Sequence, residues 1–334
     1  MKSTASILNR REFVKYSSFG SAAAVCGGMV QNAVSAPYAA GAEKDDEAIP
    51  IVDTHQHLWD TRKLRLPWLG GEGVKPIARN FVISDYKQAT KDVNVVKSIY
   101  MEVNVHPDDQ DKEAEYVTDL CKRQDNAMVA AVIGGSPQNK EFKEYAAKHS
   151  KNAYIKGFRT VLHDADRPQG MCLKPTFVDN MKLLGELGLS YDLCMRPDEI
   201  LDGVKLVDQC PKTRFVIDHC GNLSVQETDQ QVRKKWAKGI REMAKRDNVV
   251  CKISGIVVTA KLDWKPADLE ENTTFCMEAF GEDRAYFAGD WPVCTLKASF
   301  KQWVDALKWI VRDKSPEFQR KLFHDNAVKF YRLS

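Results

Sequence analysis

The sequence predicts an α/β fold: a (β/α)8 TIM barrel with a long lid-like loop after the first strand. Three observations carry this. Eight short β-rich runs alternate with amphipathic segments of helical period. Strands alternating with helices imply parallel crossovers, and eight such units imply a closed barrel. Ionisable residues gather where the apolar runs stop, which is where barrels of this type place their active sites. A doubly wound sheet would want a Gly-rich phosphate loop after the first strand. The loop here instead opens on His55-Gln56-His57.

The elements follow in order. The strands are expected at Ile51 to His55, Val95 to Val103, Met128 to Ile133, Tyr154 to Arg159, Leu189 to Met195, Arg214 to His219, Val249 to Ser254 and Ala285 to Asp290. Helices are expected near 109–124, 138–149, 175–187, 197–209, 229–246 and 268–280, and a last helical region, 297–331, closes the chain. The strand ends carry His55 and His57, Glu102 and Asn104, Gly134, Arg159, Asp192, His219, Lys252 and Ser254, and Asp290. Two imidazoles one residue apart on a strand share a face, because strand side chains alternate. The connection from Leu58 to Tyr86 contains Trp59, Trp68, Gly70-Gly71 and Gly73. Loops this long in a compact domain are usually functional, and this one reads as a lid over the barrel mouth.

Residues 1–36 read as a removable export signal of the twin-arginine type, 37–48 as a linker and 49–334 as the barrel. Asn9-Arg10-Arg11-Glu12-Phe13 is followed by a small-residue apolar run, and Val34-Ser35-Ala36 suits a signal peptidase. The expected location is therefore extracytoplasmic, such as the periplasm. No later stretch is long and apolar enough for a stable membrane span. The formal net charge of +3 is small and its charges are interspersed, which argues against a nucleic-acid partner. Outside the signal, eight cysteines show no Cys-x-x-Cys spacing, so a thiolate zinc site is not expected. Several sit in apolar runs as small buried hydrophobes. Nothing in the sequence sets the oligomeric state.

His55-x-His57, Asp218-His219-Cys220-Gly221 and Gly289-Asp290-Trp291-Pro292-Val293 together resemble the amidohydrolase superfamily. More narrowly, they resemble its amidohydrolase-related branch of lactonases and decarboxylases. The segments His57-Leu58-Trp59-Asp60, Leu66-Pro67-Trp68-Leu69, Gly157-Phe158-Arg159 and Lys252-Ile253-Ser254-Gly255 support this, with the closing Asn326 to Tyr331. The likeness runs from Ile51 to the C-terminus.

The resemblance implies roles. His55, His57, His219 and Asp290 match the metal positions, and Asp290 also matches the group that takes a proton from the attacking water. Three imidazoles and a carboxylate suit one divalent ion, zinc by its donors. Hydrolysis with a loosely held ion, or with none, stays open beside it. The fifth strand lacks the histidine that many relatives place there. Lys156 lies one residue off the Arg159 face, so a second metal bridged by lysine is not expected. Arg159 is expected to bind a substrate carboxylate or hydroxyl, or else to pair with Asp192 or Glu102. Glu102 is expected to bind substrate hydroxyls or to support the site from behind. Lys252 is expected to bind substrate or to pair with Asp290 or Asp218, and Trp59 and Trp291 to wall the pocket or simply to pack. His106, His149, His163 and His324 read as ordinary, His163 least safely because it follows Arg159 in the same loop. The expected function is a hydrolase opening an acidic or hydroxylated small-molecule lactone, from a sugar acid or from aromatic catabolism. Decarboxylation of an unsaturated acid is the alternative.

Overall fold

The structure, a computed structural model, describes residues 49–333. The expected signal and nearly all of the linker lie outside the described residues. Eight strands form one parallel sheet in chain order: β1 (Ile51–Gln56), β2 (Val95–Met101), β3 (Met128–Gly134), β4 (Ile155–Val161), β5 (Ser190–Cys194), β6 (Arg214–Ile217), β7 (Val249–Ile253) and β8 (Ala285–Phe287). The helices are α1 (Ile83–Thr90), α2 (Gln110–Lys122), α3 (Phe142–His149), α4 (Pro175–Glu186), α5 (Ile200–Gln209), α6 (Gln230–Ala244), α7 (Pro266–Phe280), α8 (Phe300–Ile310), α9 (Pro316–Arg320) and α10 (Asn326–Tyr331). Among the described residues no helix is long and apolar enough to cross a membrane.

The seam between β8 and β1 closes differently from the others. It rests on one parallel bridge, Gln56 to Trp291, with His57 N–H donating to Trp291 O at 2.7 Å. The Thr54 hydroxyl adds a bond to Phe287 O at 2.7 Å. Buried Asp53 fastens the same seam. Its carboxylate accepts from Gly289 N at 2.7 Å, Tyr86 Oη at 2.8 Å and His55 N at 3.1 Å. A Cβ on Gly289 would stand 2.7 Å from Asp53 Oδ2 and 2.4 Å from the Phe300 ring, so only glycine admits this clamp.

Five strands end earlier than the sequence suggests, β5 and β7 by one residue, β2 and β6 by two and β8 by three. β8 stops at Phe287, and β6 stops at Ile217, where His219, Cys220, Gly221 and Asn222 turn through positive φ. The chain must leave the ladder there to point His219 and Asp290 into the mouth.

The strand interior is apolar at its lower level. Val52, Ile99, Met101, Ala130, Val132, Val216, Val250 and Tyr286 pack together with Ala327 and Tyr331 of α10. That helix plugs one end of the barrel. A larger apolar layer lies between the strands and the surrounding helices, where strand and helix stripes meet.

The loop after β1 is folded rather than loose. Its two ends pair through Trp59 and Phe81, with backbone bonds of 2.8 and 2.9 Å. Trp68 Nε1 donates to Val103 O at 2.7 Å, and Arg65 forks onto Asp109 at 2.7 and 2.9 Å. These bonds sew the loop onto the segment that follows β2.

Candidate active site

His55, His57, His219 and Asp290 come together at the C-terminal ends of β1, β6 and β8. Ligand atoms of His55, His219 and Asp290 lie within 4.8 Å of one another. His57 joins them with Nε2 3.4 Å from Asp290 Oδ1. His57 Nδ1 faces Met101 O at 3.0 Å, so it carries the proton and Nε2 carries the lone pair. His55 Nε2 stands 3.8 Å from the same Asp290 oxygen. The His57 lone pair thus faces a carboxylate oxygen, and a cation between them reconciles that approach. The donor set therefore fits one divalent ion.

His219 is aimed by its surroundings. Its Nδ1 lies 2.9 Å from Ser254 Oγ, which leaves Nε2 for the centre. The Trp236 indole donates to Cys220 O at 2.8 Å and the Asn222 amide to Met195 O at 2.9 Å, holding the left-handed turn. Gly255 lies directly against the imidazole. A Cβ there would stand 2.4 to 2.7 Å from His219 ring and Cβ atoms, at a φ of +69°. Gly255→Ala is therefore expected to displace His219 and cut turnover about 100-fold, comparable to losing one oriented catalytic group, while the protein still folds. A crystal structure and steady-state rates check it; an unmoved imidazole with parental kcat would remove His219 orientation from the mechanism.

Beneath the histidines lies a buried charged network. Lys252 donates to Asp192 Oδ2 at 2.5 Å and lies 3.3 Å from Asp218 Oδ1. Arg159 Nε donates to Glu102 Oε1 at 2.7 Å, Nη2 to Glu102 O at 2.9 Å, and Nη1 to His55 Nε2 at 3.1 Å and Asp218 Oδ2 at 3.4 Å. Burial, then the charge of Lys252, lowers His55 well below the usual imidazole range, so it is a neutral ring. Burial pushes Asp192 up to about 7. Burial acts the same way on Asp218, but Lys252, His219 and Arg159 outweigh it and hold that carboxyl low.

Arg159 and Lys252 form ion pairs that stood beside substrate binding among the expectations, Arg159 with Glu102 and Lys252 with Asp218. Arg159 and Glu102, 5% and 3% exposed, bind each other, and the fully buried Lys252 binds Asp192 and Asp218. Of the two readings of Arg159, the ion pair with Glu102 is the one observed. Trp59 packs on Trp68 and Phe81 and donates to Arg79 O; Trp291 packs on Phe81 and Tyr86. Both indoles fill the root of the loop after β1. Lys156 has Arg214 and Arg332 as its charge neighbours, toward the α10 end of the barrel.

Asp53, Glu113 and Cys194 escaped the reading of the sequence, while Gly255 was read only as part of a motif and His163 only as the least ordinary of its group. Glu113 had a visible signal, a charged residue on the apolar stripe Ala114, Val117, Leu120, Cys121 of α2. It accepts from Tyr100 Oη at 3.0 Å, Val103 N at 2.9 Å and Gly134 N at 3.0 Å. Burial first, and the nearby Glu102 charge second, push its carboxyl from 4.5 up to about 7. The folded state therefore keeps a proton that the unfolded chain loses earlier. This stabilisation is complete below about pH 4.5 and is lost as pH rises through about 7. The parent should lose on the order of 3 kcal/mol between those limits from this group. Glu113→Gln should show a flatter profile, from a lower starting point because an amide cannot accept all three bonds. Equal slopes in the two melting-temperature series would exclude Glu113 as the cause.

The amidohydrolase family model matches residues 52–333. An uncharacterized protein of Sinorhizobium fredii is 28% identical over 305 residues, covering 85% of this chain and 99% of that one. An L-fucono-1,5-lactonase of Burkholderia multivorans is 26% identical over 292 residues, covering 84% of this chain and 96% of its own. A crystal structure of an amidohydrolase from Burkholderia multivorans with bound zinc superposes with a TM-score of 0.75 at 23% identity, covering 85% of this chain and 99% of that one. At that identity, the likeness carries the fold.

Proposed function

This chain belongs to the amidohydrolase family, and from that premise we propose that it is a lactonase opening the cyclic ester of a sugar acid. The observation that carries this is the Asp290 carboxylate set among imidazoles at the barrel mouth. The L-fucono-1,5-lactonase relative supports a sugar-acid substrate. The commitments of Arg159 support it as well. With its guanidinium bonded to Glu102, His55 and Asp218, Arg159 is a poor receptor for a substrate carboxylate. A neutral, hydroxylated lactone fits better than a diacid.

In the proposed mechanism Asp290 holds a water and takes its proton as the oxygen attacks the lactone carbonyl. His57 Nε2 faces the Asp290 carboxylate across the centre at 3.4 Å, and its ring is oriented by Met101 O. His219 aims Nε2 at the same centre through its bond to Ser254. The Arg159 guanidinium keeps positive charge under the mouth as the carbonyl oxygen becomes negative. His55, His57, His219 and Asp290 would hold one divalent ion, zinc by its nitrogen and oxygen donors, supplying Lewis acidity when bound.

Turnover in heavy-oxygen water tests the reaction class. One label should enter the product carboxylate, with no carbon dioxide released. Carbon dioxide release from an unsaturated acid, with lactones untouched, would instead establish the decarboxylase reading.

A further inference from the structure

We propose that His163 is the general acid of the lactone opening, giving its proton to the ring oxygen as that oxygen departs. This rests on the lactonase reading above. The reaction needs proton transfer on two sides: one proton leaves the attacking water, and one reaches the leaving alkoxide. Asp290 serves the first from the β8–β1 side. The strands are ordered in a ring from β1 to β8, so β4 and β5 lie opposite β8 and β1. His163 stands two residues beyond the end of β4, half-buried, with Nδ1 3.6 Å from Sγ of Cys194, the last residue of β5. Ligand atoms of Cys194, Asp218 and His219 lie within 4.8 Å of one another, so the thiol links His163 to the catalytic cluster.

The position of His163 is built. Arg196, just past β5, donates to Leu162 O at 3.2 Å and to Asp164 O at 2.7 Å, the carbonyls on either side of His163. A third bond, to Arg167 O at 2.9 Å, ties down the rest of the turn. Arg196 is itself held by Glu199 at 2.7 Å. One guanidinium therefore fixes the backbone that carries this imidazole. The Cys194 thiol suits an imidazole that changes charge. It accepts from Nδ1–H of the charged ring and donates S–H to Nδ1 of the neutral one.

The step balances as follows. The water oxygen bonds to the carbonyl carbon while Asp290 takes a water proton. The acyl carbon–ring oxygen bond then breaks, its electron pair stays on the ring oxygen, and the His163 imidazolium protonates it. The product acid releases its proton to solvent, and the proton on Asp290 returns to His163 through solvent.

The test uses His163→Gly and His163→Asn in the full chain, on lactones that the parent opens. His163→Gly should lose about 100-fold or more in kcat. Added imidazole should restore much of it, while thiazole, of similar size but a far weaker acid, should not. Equal rescue by both would mark His163 as a space-filling residue and overturn the proposal, as would an unchanged rate without either. Should the glycine variant not fold, His163→Asn decides. Its rate loss should grow with leaving-group basicity across the lactones, a ratio independent of how much enzyme is folded. An equal loss on all of them would overturn the acid role and leave the lactonase reading standing. A parent that opens no lactone would overturn both.

Discussion

Asp290→Asn is expected to lower lactone turnover by about 10³-fold or more, the range for losing a positioned general base. Asparagine keeps the shape and tolerates the left-handed backbone at this position, where φ is 53°. The bond from Cys294 N to the backbone oxygen of residue 290, 2.8 Å long, needs no carboxylate. Melting temperature should therefore stay within about 3 °C of the parent, since the change leaves packing intact. The lost groups are the proton acceptor and the oxygen that His57 and His55 face at 3.4 and 3.8 Å. Near-parental turnover in a folded variant would mean that another group activates the water.

Lys252→Met is expected to have the largest effect on stability. The ammonium is fully buried and is the near partner of both Asp192 and Asp218. Removing one partner of a buried pair leaves uncompensated charge, typically costing about 3–5 kcal/mol. In a chain of this size that lowers the melting temperature by roughly 10 °C. Asp192→Asn added to Lys252→Met should recover part of the loss, because it removes one orphaned carboxylate. The same second change alone should destabilise. Additive losses in the double variant, measured by denaturant unfolding, would show that these groups do not act as one network.

The four groups at the mouth were legible for a local reason. His55, His57, His219 and Asp290 stand where apolar runs stop, and the strand order alone brings those ends together. Arg159, Glu102 and Lys252 were legible as strand-end polar groups, and so were two pairings, Arg159 with Glu102 and Lys252 with Asp218, whereas the bond of Lys252 to Asp192 was not. Which of several opposite charges share a level depends on pairing across the barrel, and Arg159 meets Glu102 from just past β2 and Asp218 from the end of β6. The tryptophans illustrate the same limit. Trp59 and Trp291 are claimed by Phe81 and Tyr86, whose positions follow from how the loop folds back. Asp53 was invisible because β1 pairs irregularly with β2 between Asp53 and Gln56, which breaks simple alternation. The ends of β6 and β8 were overextended because His219 and Asp290 leave the ladder through positive φ, a conformation that apolar periodicity does not encode.

The most direct measurement is proton release by the parent protein across a panel of five- and six-membered sugar-acid lactones, followed at constant pH. At least one should be opened with kcat/KM in about the 10⁴–10⁸ M⁻¹s⁻¹ range of ordinary enzymes, with one proton released per lactone consumed. No lactone opened above the uncatalysed rate by folded protein, with and without added zinc, would contradict the assignment of this site to lactone hydrolysis.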